Sequence, residues 1–83
     1  MEIIKNPTTI KLLSQEIIKA CDLYLSLKLS EDKLRALVWY YGNNHGEKLF
    51  KVKDLNPTLL NRIGKKRASL IEKMLVGFQT KML

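Results

Sequence analysis

The chain has 83 residues, 46% of them hydrophobic, one cysteine (Cys21) and a formal net charge of +7. That length makes a single domain, residues 1–83, near the lower limit of what folds without staples, and the apolar content predicts a packed core rather than disorder. One cysteine excludes an intrachain disulfide and a thiolate metal cluster, and no uncharged apolar run approaches the roughly 18 residues that a membrane span requires.

The opening Met1-Glu2-Ile3-Ile4-Lys5-Asn6-Pro7 lacks the basic start, apolar run and small-residue cleavage site of a signal peptide, which predicts a cytoplasmic protein. Asn6-Pro7 reads as an N-cap followed by proline at the first helical position. Ile10, Leu13, Ile17, Ala20, Cys21, Tyr24 and Leu27 then recur at steps of three and four, so an amphipathic helix is expected over about 7–27. Lys11, Glu16, Lys19 and Asp22 fall mostly outside that stripe. Ser30 is a second N-cap signal, with Glu31 and Asp32 complementing the positive helix end. Leu34, Leu37, Val38 and Tyr41 supply the apolar face of a helix over 30–41, and Gly42-Asn43-Asn44 is expected to stop it. The short connection near Leu29 predicts an antiparallel hairpin of these two helices.

Residues 42–47 read as a polar turn. Lys48-Leu49-Phe50-Lys51-Val52-Lys53 alternates imperfectly and predicts a short extended segment with no mate of its own: either a second copy of the chain supplies the pairing strand, or the segment is an extended linker pinned by Leu49, Phe50 and Val52. Asn56-Pro57 repeats the N-cap-plus-proline signal ahead of a short helix carrying Leu59, Leu60 and Ile63 and ending at Gly64. A last helix is expected from Lys65 to about Val76, with Leu70, Ile71, Met74, Leu75 and Phe78 on one side and a fraying tail. The fold class is therefore all-α: a small bundle of three to four helices with an extended segment near residues 48–53. A chain this small cannot hide so much apolar surface, which also predicts a homodimer.

The charge is lopsided. Residues 1–47 hold six bases and six acids, whereas residues 48–83 hold nine bases against Asp54 and Glu72, so the basic part is carboxyl-terminal. Such asymmetry predicts an anionic partner. On the last helix, Lys66, Ser69 and Lys73 share a face opposite the apolar stripe, and Lys66 to Lys73 spans about 10 Å, enough to meet neighbouring phosphates with Ser69 donating between them. Gly64 permits a chain reversal, and the backbone amides after it sit at a helix N-terminus beside Lys65, Lys66 and Arg67. Arg67 itself projects over the apolar stripe, where it either snorkels or pairs with an acid of the first or second helix such as Asp22 or Glu31. Lys51, Lys53 and Arg62 widen the basic patch.

Leu59 to Leu75, through Ile63, Gly64, Ala68 and Ile71, resembles the helix-hairpin-helix motif. The resemblance implies contact with DNA phosphates without sequence specificity; it departs where Asn61-Arg62 replace a proline-glycine pair before the isoleucine. The whole chain also resembles an uncharacterised family of short basic bacterial proteins ending in a Gly-Lys-Lys-Arg helix, which implies no activity.

Nothing in the chain suggests a catalytic centre. His45 has no acid or thiol at ligand spacing, Ser14 and Ser69 have no base beside them, and neither paired carboxylates nor a glycine-rich phosphate loop is present. Cys21 reads as a small buried hydrophobe. Trp39-Tyr40-Tyr41 face three directions on a helix and make no single stacking platform; Tyr41 reads as core, and Trp39 or Tyr40 as cover for an edge or a dimer contact. The expectation is a non-catalytic nucleic-acid binder without cofactor, metal or small-molecule substrate, DNA being favoured over RNA. The alternatives are a module that docks its basic face on an acidic protein, and a peripheral contact with anionic lipid through the last helix, which requires its apolar face to be exposed.

Overall fold

The computed structural model describes residues 6–51 and 54–77. Five helices and one two-stranded sheet follow in order: α1 (Ile10–Leu25), α2 (Glu31–Asn44), α3 (Gly46–Leu49), β1 (Phe50–Lys51), β2 (Asp54–Leu55), α4 (Pro57–Ile63) and α5 (Lys65–Met74). The molecule is dominated by helices, with one helix and one strand pair beyond the three or four helices expected.

Each helix donates apolar side chains to one core: Leu13, Ile17, Ala20 and Cys21 from α1, Leu34, Val38 and Tyr41 from α2, Leu49 from α3, Leu59 and Ile63 from α4, and Ala68, Ile71 and Met74 from α5. Burying such a side chain contributes about 1.5–3 kcal/mol. α1 packs most extensively on α4, and α2 lies against α1, α3 and α5. Because α1 is covered on more than one side, Glu16 is also buried, at 3% exposed, and pairs with Lys19 at 2.9 Å. This corrects its expected place outside the apolar stripe. Burial, reinforced by the Glu16 carboxylate, holds the Tyr41 hydroxyl far above its ordinary pKa.

Local signals decide several boundaries. The Ser30 hydroxyl accepts from the Lys33 amide at 3.2 Å, and the Asn56 side chain accepts from the Thr58 amide at 2.9 Å with Pro57 opening α4. The Asn6-Pro7 signal does not start α1. Thr9 is the cap, accepting from the Leu12 amide at 3.1 Å, while Asn6 Oδ1 accepts from the Tyr40 hydroxyl at 2.9 Å and lies 3.1 Å from His45 Nε2. A tertiary anchor therefore takes the side chain that a local reading assigns to the helix.

α2 also runs past its expected stop. Gly42 and Asn43 are helical, Asn44 Nδ2 donates back to the Tyr40 carbonyl at 3.0 Å, and the His45 amide closes the last turn on the Tyr41 carbonyl at 2.7 Å. Burial of Tyr41 offsets the roughly 1 kcal/mol that a helical glycine costs. His45 is thus the C-cap of α2 and not part of a loose turn.

The extended segment finds its partner within the chain. Phe50 pairs with Leu55 and Lys51 with Asp54, antiparallel, and the Asn56 amide donates to the Leu49 carbonyl at 2.8 Å. The strand-pairing reason for a homodimer is thereby removed. Val52 lies outside the described residues, as do Phe78 and the tail expected to fray.

The half-buried Trp39 fixes α2 to the end of α5. Its indole N–H donates to the Met74 carbonyl at 2.7 Å, and a Cβ built on Gly77 (φ +91°) meets the same ring at 3.8 Å. Trp39→Phe keeps most of the apolar area and removes the donor. It is expected to lower unfolding free energy by about 1 kcal/mol, read as a reduced urea midpoint at unchanged m-value.

Candidate nucleic-acid interface

The basic part of the chain is organised around Gly64, which joins α4 to α5 alone. Its φ of +86° and ψ of 165° lie in a region essentially restricted to glycine. The Gly64 amide closes α4 on the Leu60 carbonyl at 3.0 Å, and its own carbonyl accepts from Ala68 at 2.9 Å, opening α5. One residue thus serves as the end of one helix and the start of the next. α4 stays helical through Asn61 and Arg62, so the chain has no turn where the helix-hairpin-helix resemblance places the proline-glycine pair. Ala68, 8% exposed, faces inward with Ile71 and Met74 and lets α5 approach the core closely.

This arrangement turns the polar side of α5 outward. Lys65, Lys66, Ser69 and Lys73 are exposed, as are Gly64 at the corner, Arg62 on α4 and Lys51 on β1. Among the described residues, Lys51, Arg62, Lys65, Lys66 and Lys73 make no ion pair. Lys65 and Ser69 share a shallow groove of about 430 Å³ with Leu60, Asn61, Ala68 and Glu72. Lys66 and Lys73 occupy the neighbouring stripe of the same helix. Lys51 stands on the strand pair, directly across from Asp54. Lys53 lies outside the described residues.

Arg67 is turned away from that surface. Its Nε and Nη2 donate to Asp22 Oδ1 at 3.2 and 3.1 Å, Nη2 reaches Asp22 Oδ2 at 3.2 Å, and Nη1 donates to the Ile63 carbonyl at 3.3 Å. The guanidinium fork suits such multidentate pairing. It ties α1 to α5 and to the last carbonyl of α4, so Arg67 holds the hairpin and its charge is met by a carboxylate from the neutral half. Of the two internal acids expected for it, the structure selects Asp22; Glu31 instead pairs with Arg35 at 2.8 Å.

Two polar groove members are not binding candidates on the sequence alone: Asn61, which there marks only a departure from a motif, and Glu72. Asn61 lines one groove with Lys65 and Ser69 from the other arm of the chain reversal, and no spacing rule within one helix relates residues on opposite arms of a turn. The lipid-facing reading loses its condition, since Met74 is fully buried and Leu70 and Leu75 are half-buried.

Cys21 is buried, and that burial pushes its thiol up to about 11 although the neighbouring Arg67 guanidinium opposes the shift. No helix among the described residues is long and apolar enough to cross a membrane.

A family model described as "conserved hypothetical protein" matches residues 4–76 of the chain. No curated protein and no solved structure matches it.

Proposed function

The chain belongs to this family of conserved hypothetical proteins, and from its own residues we propose that it is a non-catalytic nucleic-acid-binding protein. In this reading the basic hairpin α4–Gly64–α5 grips the phosphate backbone with little sequence preference. The observation that carries the proposal is the contrast between the two halves. Residues 1–47 hold six bases and six acids, whereas residues 48–83 hold nine bases against two acids, and among the described residues Lys51, Arg62, Lys65, Lys66 and Lys73 are exposed and make no ion pair. A charge present only for solubility has no reason to collect at one end. The resemblance of Leu59–Leu75 to the helix-hairpin-helix motif supports the same reading only through Ile63, Gly64, Ala68 and Ile71, since the motif's turn before the isoleucine is absent. The side chains on this face suit phosphates better than base edges, because no row of asparagine or glutamine is directed to a groove.

Fluorescence anisotropy with labelled duplex and single-stranded oligonucleotides of unrelated sequence tests the proposal. Binding to all of them within a narrow affinity range, with duplex DNA ahead of duplex RNA, is the expected result. Unchanged anisotropy with every oligonucleotide at low salt overturns it.

One observation favours the alternative, an interaction module for an acidic protein. The α4–α5 groove has an apolar floor in Leu60 and Ala68 and an acid, Glu72, on its wall, a mixture better suited to a polypeptide than to a sugar-phosphate chain.

The Asp22–Arg67 pair gives a prediction of unusual sign. Asp22→Asn releases Arg67 and removes a carboxylate beside the hairpin. The pair is partly exposed, so stability is expected to fall by only about 0.5–1 kcal/mol, while oligonucleotide affinity at low salt rises several-fold and the salt slope steepens by about one contact. A variant that loses both stability and affinity contradicts the phosphate-binding role of this end.

A further inference from the structure

The other irregular place in the molecule is the corner between α1 and α2. α1 ends in a Schellman turn: the Leu27 amide donates to the Tyr24 carbonyl at 3.0 Å and the Lys28 amide to the Leu23 carbonyl at 2.8 Å. The residue that must turn left-handed is Leu27, at φ +64°, where glycine or asparagine carries little or no penalty. That same leucine is 92% exposed, and Leu25 beside it is 65% exposed. One residue therefore breaks a backbone rule and a burial rule together; the two turn hydrogen bonds offset the first, and nothing among the described residues covers the leucine side chain. Departures of this kind collect at functional surfaces. Both leucines, with Tyr24, Lys28, Leu29, Ser30 and Glu31, line a shallow cleft of about 440 Å³.

We infer that this corner is the contact surface of a homodimer, in which Leu25 and Leu27 of the two copies pack against each other about a two-fold axis. Charge selects the occupant. Lys28, which lines the cleft, and Asp32, next in sequence to the lining Glu31, carry opposite signs, both are exposed, and neither has an ion-pair partner among the described residues. A two-fold axis through the patch sets Lys28 against the partner's Asp32 and the reverse, the self-complementarity that an isologous contact requires. The corner also belongs to the half with six bases and six acids, so two copies meet here without net repulsion. Asp32 and Glu31 at the rim disfavour an anionic membrane or a nucleic acid in the same place. Two exposed leucines are a small anchor beside the roughly 20–30 residues that each side gives to a stable interface, so the dimer is of micromolar or weaker affinity. This inference stands independently of the nucleic-acid reading.

Sedimentation velocity of the full chain from about 10 μM to about 1 mM tests it. The expected result is a weight-average mass rising from 9.6 kDa toward twice that value. Leu27→Asn relieves the left-handed strain, so its melting temperature stays equal or rises by a few degrees while dimer affinity falls at least about tenfold. Lys28→Asp and Asp32→Lys each weaken the dimer several-fold, and the double exchange restores it. A monomer at every concentration overturns the inference, as does a Leu27→Asn protein that self-associates like wild type. Sedimentation with phosphatidylglycerol vesicles that Leu27→Asn abolishes, without self-association in solution, also overturns it and assigns the corner to lipid.

Discussion

Replacing Lys65, Lys66 and Lys73 together by glutamate is expected to abolish measurable oligonucleotide binding while leaving the circular dichroism melt nearly unchanged. All three side chains are exposed on α5 and make no ion pair among the described residues. Their loss therefore breaks no contact of the fold, and exposed substitutions of this kind usually stay within about 0.5 kcal/mol. Binding responds differently, because three counterion-releasing contacts disappear and three carboxylates then repel the backbone. The expected loss is roughly a hundredfold or more, with the salt slope reduced by about three contacts. Glutamine at the same positions should give an intermediate loss, which separates the removal of attraction from added repulsion. A triple-glutamate protein that binds like wild type places the contact surface elsewhere.

The second large effect concerns the fold. Gly64→Ala is expected to lower unfolding free energy by about 1–3 kcal/mol, measured by urea denaturation. A Cβ at this position meets nothing within 4 Å, so the penalty comes from the backbone angle of +86° and not from a clash. Gly46 is the internal comparison. Its added Cβ makes an ordinary 3.9 Å contact with the Phe50 ring and its φ is not positive, so Gly46→Ala should be near neutral. Because Gly64 sets the direction of α5 relative to α4, its replacement should also weaken oligonucleotide binding in protein that is still folded, by displacing Lys65, Lys66 and Lys73 on α5 relative to Arg62 on α4. Equal stability losses at the two glycines contradict the left-handed role assigned to Gly64.

Much of the helical organisation was legible where the deciding chemistry is local. Ser30, Asn56-Pro57 and Gly64 act through their own hydroxyl, amide or missing side chain within a few residues, and each marks a real boundary. Arg67 was legible for a different reason: a guanidinium projecting over an apolar stripe must snorkel or find an acid, and Asp22 is that acid. The failures share a cause as well. Asn6-Pro7 carries the same signal as Asn56-Pro57, yet Tyr40 and His45, more than thirty residues away, claim the Asn6 oxygen. Gly42-Asn43-Asn44 resembles a stop, yet the fully buried Tyr41 carries α2 onward. The segment after Leu49 looked like a strand without a mate, because Asp54-Leu55 is too short to announce itself as one. Within the candidate site, the lysines were read from composition and helical spacing. That Asn61 lines one groove with Lys65 and Ser69 across Gly64 depends on the angle of the reversal, which no pattern of residue types specifies.

The most direct test of the central claim is the salt dependence of wild-type binding to a duplex DNA oligonucleotide, followed by anisotropy. If Lys51, Arg62, Lys65, Lys66 and Lys73 each neutralise one phosphate, the logarithm of the association constant falls against the logarithm of salt with a slope of about −4.5 for duplex and about −3.5 for single strands. A slope near zero, or no association at any ionic strength, contradicts an electrostatic grip by this end of the molecule.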